Sequence, residues 1–336
     1  MTSASGGQRS IQLSYGRARR YYILQIMYDC NFKTSPSSLG KHRRNPMENR
    51  SSRYFILSLV ITLLFGSWHA AQAGQRTYKI EKVAEGVYAA LAIPSEAATS
   101  NAFIVDLGYY LVVGGAHFTK QAINDLLVAA AEITPKPVEA FVLAHHHKGD
   151  SFGDFDFPPG KAIIMTQRTR QIMEQEVRQI DGQINYFQEG LTLEGTERTL
   201  VLADVGAAHS QGDLIAYVPQ SKTLFTSDLV YINSAGFLGD GPLRGWVLKL
   251  EKITNLDVER VIPGYGPVSG MAEITAFKNY LKDFSTEVIR HIDKGDNLYE
   301  TLQSFSLPQY ADLPDYQIFS SGNIERAYKQ LSEPEE

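Results

Sequence analysis

Four short segments of the sequence place polar side chains directly beside apolar runs that are typical of β-strands. They are residues 143–150, 206–213, 224–228 and 261–268, with the sequences LAHHHKGD, GAAHSQGD, LFTSD and VIPGYGPV. Histidine and aspartate supply the nitrogen and oxygen ligands that divalent metal ions take in proteins. These four segments therefore hold the candidate metal-binding and catalytic residues.

The three consecutive histidines of the first segment are the strongest sign of a metal site. Residues i and i+2 at the end of a strand point to the same side. We therefore expect His145 and His147 to converge on one metal ion, while His146 faces away. Two other histidines, His117 and His291, have no partners nearby in the sequence and are interpreted as surface or core residues.

Short strands and amphipathic helices alternate along the part of the chain that must position these segments. The apolar spacing predicts two mixed halves, each with strands followed by a helix, a strand and a further helix. The predicted strands are 77–83, 87–93, 102–105, 110–113, 138–143, 161–165, 199–202, 214–218, 223–225 and 260–262, and the predicted helices are 120–133, 168–184, 243–254, 272–294 and 323–331. Two packed sheets flanked by helices satisfy this order.

Charge is distributed unevenly over the 336 residues, whose formal net charge is −5. Residues 1–73 contain ten lysines and arginines against two acidic residues, so the remaining residues carry a strongly negative net charge. An acidic body argues against nucleic acid as a partner. The single cysteine, Cys30, also lies in the basic leader, so residues 74–336 have neither disulfides nor thiolate ligands.

The leader reads as an export signal. From Met47, a basic start with Arg50 and Arg53 precedes an apolar run over 54–65 and a small-x-small site at 71–73. This is the layout of a secretory signal peptide, and the apolar run is shorter than a membrane span. We therefore expect 1–46 to be a non-native or disordered extension, 47–73 to be the signal, and the mature protein to be periplasmic or secreted without stable membrane insertion.

Taken in order, the four segments resemble the metallo-β-lactamase superfamily. The markers of that family are His-x-His-x-Asp-His, Gly-x-x-His-Ser/Thr-x-Gly-Asp, Leu-Phe-x-Gly-Asp and Pro-Gly-His-Gly. The resemblance covers roughly residues 77–270 and implies an α+β fold, an αββα sandwich of two mixed β-sheets packed face to face and flanked by helices. Residues 74–336 are then expected to form a single domain with a C-terminal helical extension.

Several positions depart from the family pattern. An alignment without a gap makes His145 and His147 the first two ligands and puts Gly149 and Asp150 where the Asp and the third His belong. A second register keeps the Asp as Asp150 but leaves Lys148 and Ser151 at histidine positions. Elsewhere Gly114 replaces a family Asp, Ser227 replaces a Gly, and Tyr265 stands where the last His belongs, as the printed sequence shows.

The surviving ligands imply a single zinc ion rather than two. In the alignment without a gap, His145, His147 and His209 hold the metal, Asp228 is a ligand or orients a metal-bound water, and Tyr265 assists the oxyanion. Asp150 is a further candidate ligand, with Asp228, for a weak second ion.

The resemblance implies a hydrolase that cleaves an ester, amide, thioester or lactam bond in a small molecule, with Lys148 as a candidate contact for a substrate carboxylate. The rival hypothesis is a catalytically degenerate member that acts as a periplasmic binding or assembly factor. The oligomeric state stays open.

Overall fold

The computed structural model of the protein describes residues 10–15, 22–25, 76–94, 98–149, 155–176, 178, 180 and 182–333. Nearly all of them belong to one compact unit, formed by Ser10–Leu24 and Thr77–Glu336. The predicted signal peptide and the candidate ligand Asp150 lie outside the described residues.

The described unit contains fourteen strands that form two sheets. The strands are β1 (Ser10–Tyr15), β2 (Tyr22–Gln25), β3 (Tyr78–Ala84), β4 (Val87–Ala92), β5 (Ala102–Asp106), β6 (Leu111–Gly115), β7 (Val138–Leu143), β8 (Ala162–Thr166), β9 (Gln183–Phe187), β10 (Gly190–Glu194), β11 (Thr199–Gly206), β12 (Asp213–Val218), β13 (Thr223–Tyr231) and β14 (Arg260–Tyr265). One sheet has the order β3-β4-β5-β6-β7-β8-β9, and the other has the order β14-β13-β12-β11-β10-β1-β2.

Both sheets are mixed. In the first sheet β3 to β6 are antiparallel neighbours and β6 to β9 pair in parallel. In the second sheet β10 to β13 are antiparallel and β14 joins β13 in parallel. The sheets meet face to face, as the rings of Phe103 on β5 and Phe225 on β13 lie 4.9 Å apart. The predicted pair of mixed sheets is confirmed.

Helices cover the outer face of each sheet. They are α1 (Lys120–Ile133), α2 (Gln167–Gln175), α3 (Leu243–Ile253), α4 (Met271–Lys294), α5 (Leu298–Ser304) and α6 (Tyr316–Ser332). Leu126 of α1 belongs to the core of the first sheet, whereas Trp246 of α3 and Phe284 of α4 belong to the core of the second. Among the described residues, no helix combines the length and the apolar character that a membrane span requires.

Two regions differ from the predicted elements. The helix expected over 168–184 ends after Gln175, and Gln183–Phe187 forms the edge strand β9 instead. Gly182 has a φ of +153°, which interrupts the helical pattern, and Ile163 on β8 pairs with Ile184 in the parallel register. At the C-terminal end the predicted 323–331 helix is longer, and α5 precedes it.

Candidate metal centre

The candidate residues meet at one edge of the sandwich, where strands of both sheets end. Ala144, directly after β7, donates a backbone hydrogen bond to the carbonyl of Gly115 (2.8 Å) and accepts one from the amide of Leu214 on β12 (3.0 Å). The histidine segment is thereby tied to strands of both sheets. The end of β7 and the turn before β12 are held together, which brings their side chains into one cluster.

His145, His147 and His209 offer ring nitrogens that all lie within 4.8 Å of one another. Nδ1 of His147 lies 3.1 Å from Nε2 of His209, and the ring of His145 lies 4.9 Å from that of His147 and 5.1 Å from that of His209. His145 and His209 are only 1% and 2% exposed. The structure therefore brings together the three histidines that the sequence placed in two different segments.

Several nitrogens of this trio are buried without a hydrogen-bond partner among the described residues. They are both ring nitrogens of His145 and Nδ1 of His209. A buried polar atom without a partner costs about 1–3 kcal/mol, so such atoms are rare unless a ligand uses them. Burial, and then the neighbouring histidines, lowers the pKa of His145 and of His209 well below the ordinary value. Neutral imidazoles with available lone pairs fit a divalent metal ion.

Asp228 on β13 lies beside the trio. Its Oδ1 accepts a hydrogen bond from the Ser100 hydroxyl (2.6 Å), while its Oδ2 lies 4.0 Å from Nε2 of His145 and 3.9 Å from Nε2 of His209. One carboxylate oxygen is thus anchored, and the other faces the histidines. Ser227, directly before it, has a φ of +50°, which explains why the family motif carries a glycine there.

A carboxylate fixes the turn that carries His209. Asp213 accepts hydrogen bonds from the Ser210 amide (2.9 Å) and from the Ser210 hydroxyl (2.7 Å). Burial raises the pKa of Asp213 to about 7, although both bonds from Ser210 oppose this shift. The Ser and Asp of the second segment therefore act on the turn geometry, and His209 is the member that reaches the cluster.

Asp240, which sequence reasoning missed, orients His147. Its Oδ1 lies 2.9 Å from Nε2 of His147, so that ring donates this proton and keeps Nδ1 directed at His209. Burial alone would raise the pKa of Asp240, but the hydrogen bond with His147 and the charges of His147 and His146 together outweigh burial, so the net shift is downward. His146 stands outside the trio, with Nε2 3.7 Å from Asp240. The feature of the sequence that could have pointed to Asp240 is its position between two glycines, after β13.

His117 is the second residue that the sequence did not assign to the site. It follows β6, is 8% exposed, and its Nε2 lies 3.4 Å from Oδ2 of Asp228. Its Nδ1 lies 2.6 Å from the hydroxyl oxygen of Thr99. The ligand atoms of His117, His145 and Asp228 also lie within 4.8 Å of one another. His117 is thus a buried residue, as one of the two predicted alternatives has it, but its partners Thr99 and Asp228 are distant in the sequence and could not be predicted from it.

The other predicted residues lie at the margin of the cluster. The ring of Tyr265 stacks on that of Tyr231 at 4.8 Å, and Tyr231 in turn lies 6.1 Å from His209. Tyr231, also missed from sequence, has its pKa raised well above the ordinary value, first by burial and then by the neighbouring charge of Asp228. Lys148 is half-buried, and its side chain contacts no ion-pair partner among the described residues.

A cleft of about 430 Å³ opens beside the cluster. Asp240, the carboxylate that orients His147, forms part of its wall. The rest of the wall is mostly polar and comes from α2 and the turn before β12, with Arg168, Gln171, Gln175, Glu176 and Gln211. Asp240 is therefore the residue that connects the wall of the cleft with the histidine cluster.

Comparison with known proteins gives the same family as the four segments. A model described as the metallo-β-lactamase superfamily matches residues 100–265. A metallo-β-lactamase from Pontibacter korlensis has the same fold, with a TM-score of 0.52 and 19% identity over 61% of this chain and 99% of that chain. TMB-1, whose structure was studied for substrate and inhibitor binding, matches with a TM-score of 0.52 and 16% identity over 62% of this chain and 98% of its own. The fold and the matched segments agree, and the chain belongs to the metallo-β-lactamase superfamily.

Proposed function

We propose that the protein is a metal-dependent hydrolase in which His145, His147 and His209 hold one Zn²⁺ ion. The single observation that carries the proposal is that one ring nitrogen of each histidine lies within 4.8 Å of the other two, around a buried His145 whose ring nitrogens have no hydrogen-bond partner among the described residues. A zinc ion held by three neutral imidazoles supplies Lewis-acid activation of water and of a carbonyl oxygen. The residues around the trio are proposed to transfer a proton, to orient His147 and to bind the oxyanion.

Asp228 is placed to hold a proton during hydrolysis. Its Oδ1 is fixed by Ser100, so its Oδ2 keeps one orientation toward the histidines. A carboxylate fixed in this way accepts a proton from the attacking water and returns it to the leaving group. Asp240 keeps His147 in one tautomer, which preserves the direction of its Nδ1.

Two stacked tyrosines are the candidates for binding the oxyanion, with Tyr231 close enough to Asp228 to feel its charge. Tyr231 stays protonated because its pKa is raised well above the ordinary value by burial and by Asp228, so its hydroxyl is a hydrogen-bond donor. Tyr265, which stacks on it, is the candidate donor to a developing oxyanion. We propose Tyr265 for this role and Tyr231 as the residue that positions its ring.

The proposed substrate is a small molecule with an ester, amide, thioester or lactam bond. The adjoining cleft of about 430 Å³ is large enough for such a molecule, and its polar wall suits a substrate with hydrogen-bonding groups. Lys148, half-buried beside His147, is proposed to contact a substrate carboxylate. Export through residues 47–73, with the mature enzyme in the periplasm or outside the cell, belongs to the same proposal.

Metal analysis tests the first step of this proposal. The purified protein is stripped with a chelator, loaded with zinc, desalted and measured by inductively coupled plasma mass spectrometry. We expect at least one equivalent, and less than about a tenth of an equivalent would refute the proposal because three neutral imidazoles bind zinc tightly. His209→Ala should lose this ion, whereas His291→Gln should keep it.

Activity separates the hydrolase from a binding factor. The zinc-loaded protein is assayed against chromogenic esters, thioesters, amides and lactams, with His145→Ala as the blank. Hydrolysis that requires the trio supports the enzyme. Full zinc occupancy without turnover of any of these four classes would instead support the rival binding or assembly factor.

A further inference from the structure

The space beside Gly149 is filled by the side chain of His117, a residue type that can itself bind a metal ion. Gly149 has a φ of +61°, and a Cβ built on it would lie 2.7 Å from Nδ1 of His117 and closer still to the hydroxyl of Thr99. In the alignment without a gap, this is the position of the family's Asp. The imidazole of His117 therefore occupies the volume that an aspartate side chain at residue 149 would need.

Thr99 sets the direction in which His117 presents its other nitrogen. The Thr99 hydroxyl oxygen lies 2.6 Å from Nδ1 of His117, and a hydroxyl can accept the proton of that nitrogen. In that tautomer Nε2 carries the lone pair that a metal ion takes, whereas in the other tautomer Thr99 donates to Nδ1 and Nε2–H points at Asp228. Nε2 lies 3.4 Å from Oδ2 of Asp228, so the two atoms enclose a position that a proton fills in one tautomer and a divalent cation can fill in the other.

Asp228 stands between two groups of nitrogens. Its Oδ2 lies 3.4 Å from Nε2 of His117 on one side, and 4.0 Å and 3.9 Å from Nε2 of His145 and His209 on the other. A carboxylate in this position can contact a cation held on the side of His117 while it faces the one held by the trio. With that second cation bound, Asp228 acts as a ligand and no longer as the proton acceptor of the single-ion centre. Metal pairs bridged in this way are typical of hydrolytic centres.

From this geometry we infer that His117 is a metal ligand and that, with Asp228, it holds a second divalent cation beside the one held by His145, His147 and His209. The inference rests on the proposed function, since Asp228 is shared with the first ion. One imidazole and one carboxylate suit Zn²⁺, Co²⁺ or Mn²⁺, with water completing the coordination. His117, in the loop between β6 and α1, thus supplies the ligand that residue 149 lacks.

Calorimetric titration of the metal-free full-length protein with Zn²⁺ tests the inference. We expect two equivalents in the wild type, and in His117→Ala we expect the first equivalent unchanged and the second weakened by more than about 100-fold. His117→Gln, which keeps a hydrogen-bonding partner for Thr99 but is a poor zinc ligand, should behave in the same way. His291→Gln is the matched control, because it removes a buried histidine that pairs with Asp296 and belongs to none of the candidate metal clusters among the described residues.

Cobalt provides a second measurement that does not depend on activity. Titration with Co²⁺ should give two successive changes in the visible absorption spectrum of the wild type and only the first in His117→Ala, with circular dichroism used to check the fold of each variant.

The outcomes separate this inference from the proposed function. Two equivalents in the wild type and one in both His117 variants support it. One equivalent in the wild type, or two in both variants, overturns the second site and leaves the hydrolase proposal standing. No bound metal in the wild type overturns both.

Discussion

Two sides of the candidate metal centre keep the family's ligand positions to different degrees. On the retained side, His145, His147 and His209 each offer one ring nitrogen that lies within 4.8 Å of the other two. On the substituted side, which we define as Gly114, Gly149 and Tyr265, neighbouring side chains take up the space. Phe103 fills the space at Gly114. His117 and Thr99 fill the space at Gly149, and Tyr231 stacks on Tyr265.

This difference shows that neighbouring side chains now occupy the space that the missing family residues would need on the substituted side. A lost ligand that leaves an open hole can be restored by a single substitution, whereas a refilled position cannot, because protein interiors are close-packed. On the substituted side, then, restoring family residues should destabilise the protein. On the retained side, substitutions of the residues that support the histidines should instead change the metal affinity or the pH dependence of stability.

Gly114→Asp should have the largest effect. A Cβ at this position would overlap the ring of Phe103, and a carboxylate would enter a fully buried strand. We expect the free energy of unfolding to fall by about 4 kcal/mol or more, as measured by urea denaturation. Gly115→Ala is the matched control, because its Cβ would lie no closer than 3.1 Å to a neighbour. A cost below about 1 kcal/mol for Gly114→Asp would show that this side is not refilled.

Gly149→Asp should lower the free energy of unfolding somewhat less than Gly114→Asp, and the additional substitution His117→Ala should restore part of the loss. Contact with His117 and Thr99 and the positive φ together predict a loss of about 3 kcal/mol. Gly160→Asp serves as the control, since Gly160 also has a positive φ of +77° but nothing within 4 Å of its Cβ position, which leaves only about 1 kcal/mol of backbone strain.

The double variant isolates the refilling at Gly149. His117→Ala should recover at least about 1 kcal/mol of the loss in a double-mutant cycle, because it removes the side chain that occupies the space. Purely additive effects of the two substitutions would contradict the idea that His117 replaces the side chain at residue 149.

The sequence predicts the fold and the retained side well, and the substituted side poorly. Histidines two positions apart at the end of a strand point to the same side, so His145 and His147 could be paired from spacing alone. The roles of His117 and Asp240 could not be predicted in this way, because each residue lies on a loop whose path depends on packing between distant segments. The β9 strand was missed for a related reason, since its parallel pairing with β8 outweighs a helical pattern that continues past Gln175.

Asp213→Asn should change how stability depends on pH, by a moderate amount. The pKa of Asp213 is raised to about 7 in the folded protein, against about 3.9 in an unfolded chain. Between these values the unfolded state loses its proton first, so the free energy of unfolding falls as the pH rises through this window. Between pH 5 and pH 8 the metal-free wild type should therefore lose about 2 kcal/mol relative to Asp213→Asn, as measured by urea denaturation.

Ser210→Ala provides the comparison for this pH profile. The Ser210 hydroxyl lowers the pKa of Asp213, so its removal should extend the fall in stability to higher pH. If the stability curves of the wild type and Asp213→Asn run parallel between pH 5 and pH 8, the carboxyl of Asp213 does not titrate in this window and the assignment is wrong.

Asp240→Asn should have the smallest effect and should act on metal affinity rather than on the fold. The amide can still accept the proton of His147, but it loses the charge that makes this imidazole a stronger ligand. We expect the dissociation constant for the first Zn²⁺ ion to rise about tenfold, or ~1.4 kcal/mol, in a competition titration with a chromogenic chelator. Glu176→Gln is the matched control, because Glu176 lines the same cleft and faces His146 at 3.9 Å but does not bond to His147. Equal affinity losses in the two variants would mean that Asp240 acts through the general charge of the cleft and not through the orientation of His147.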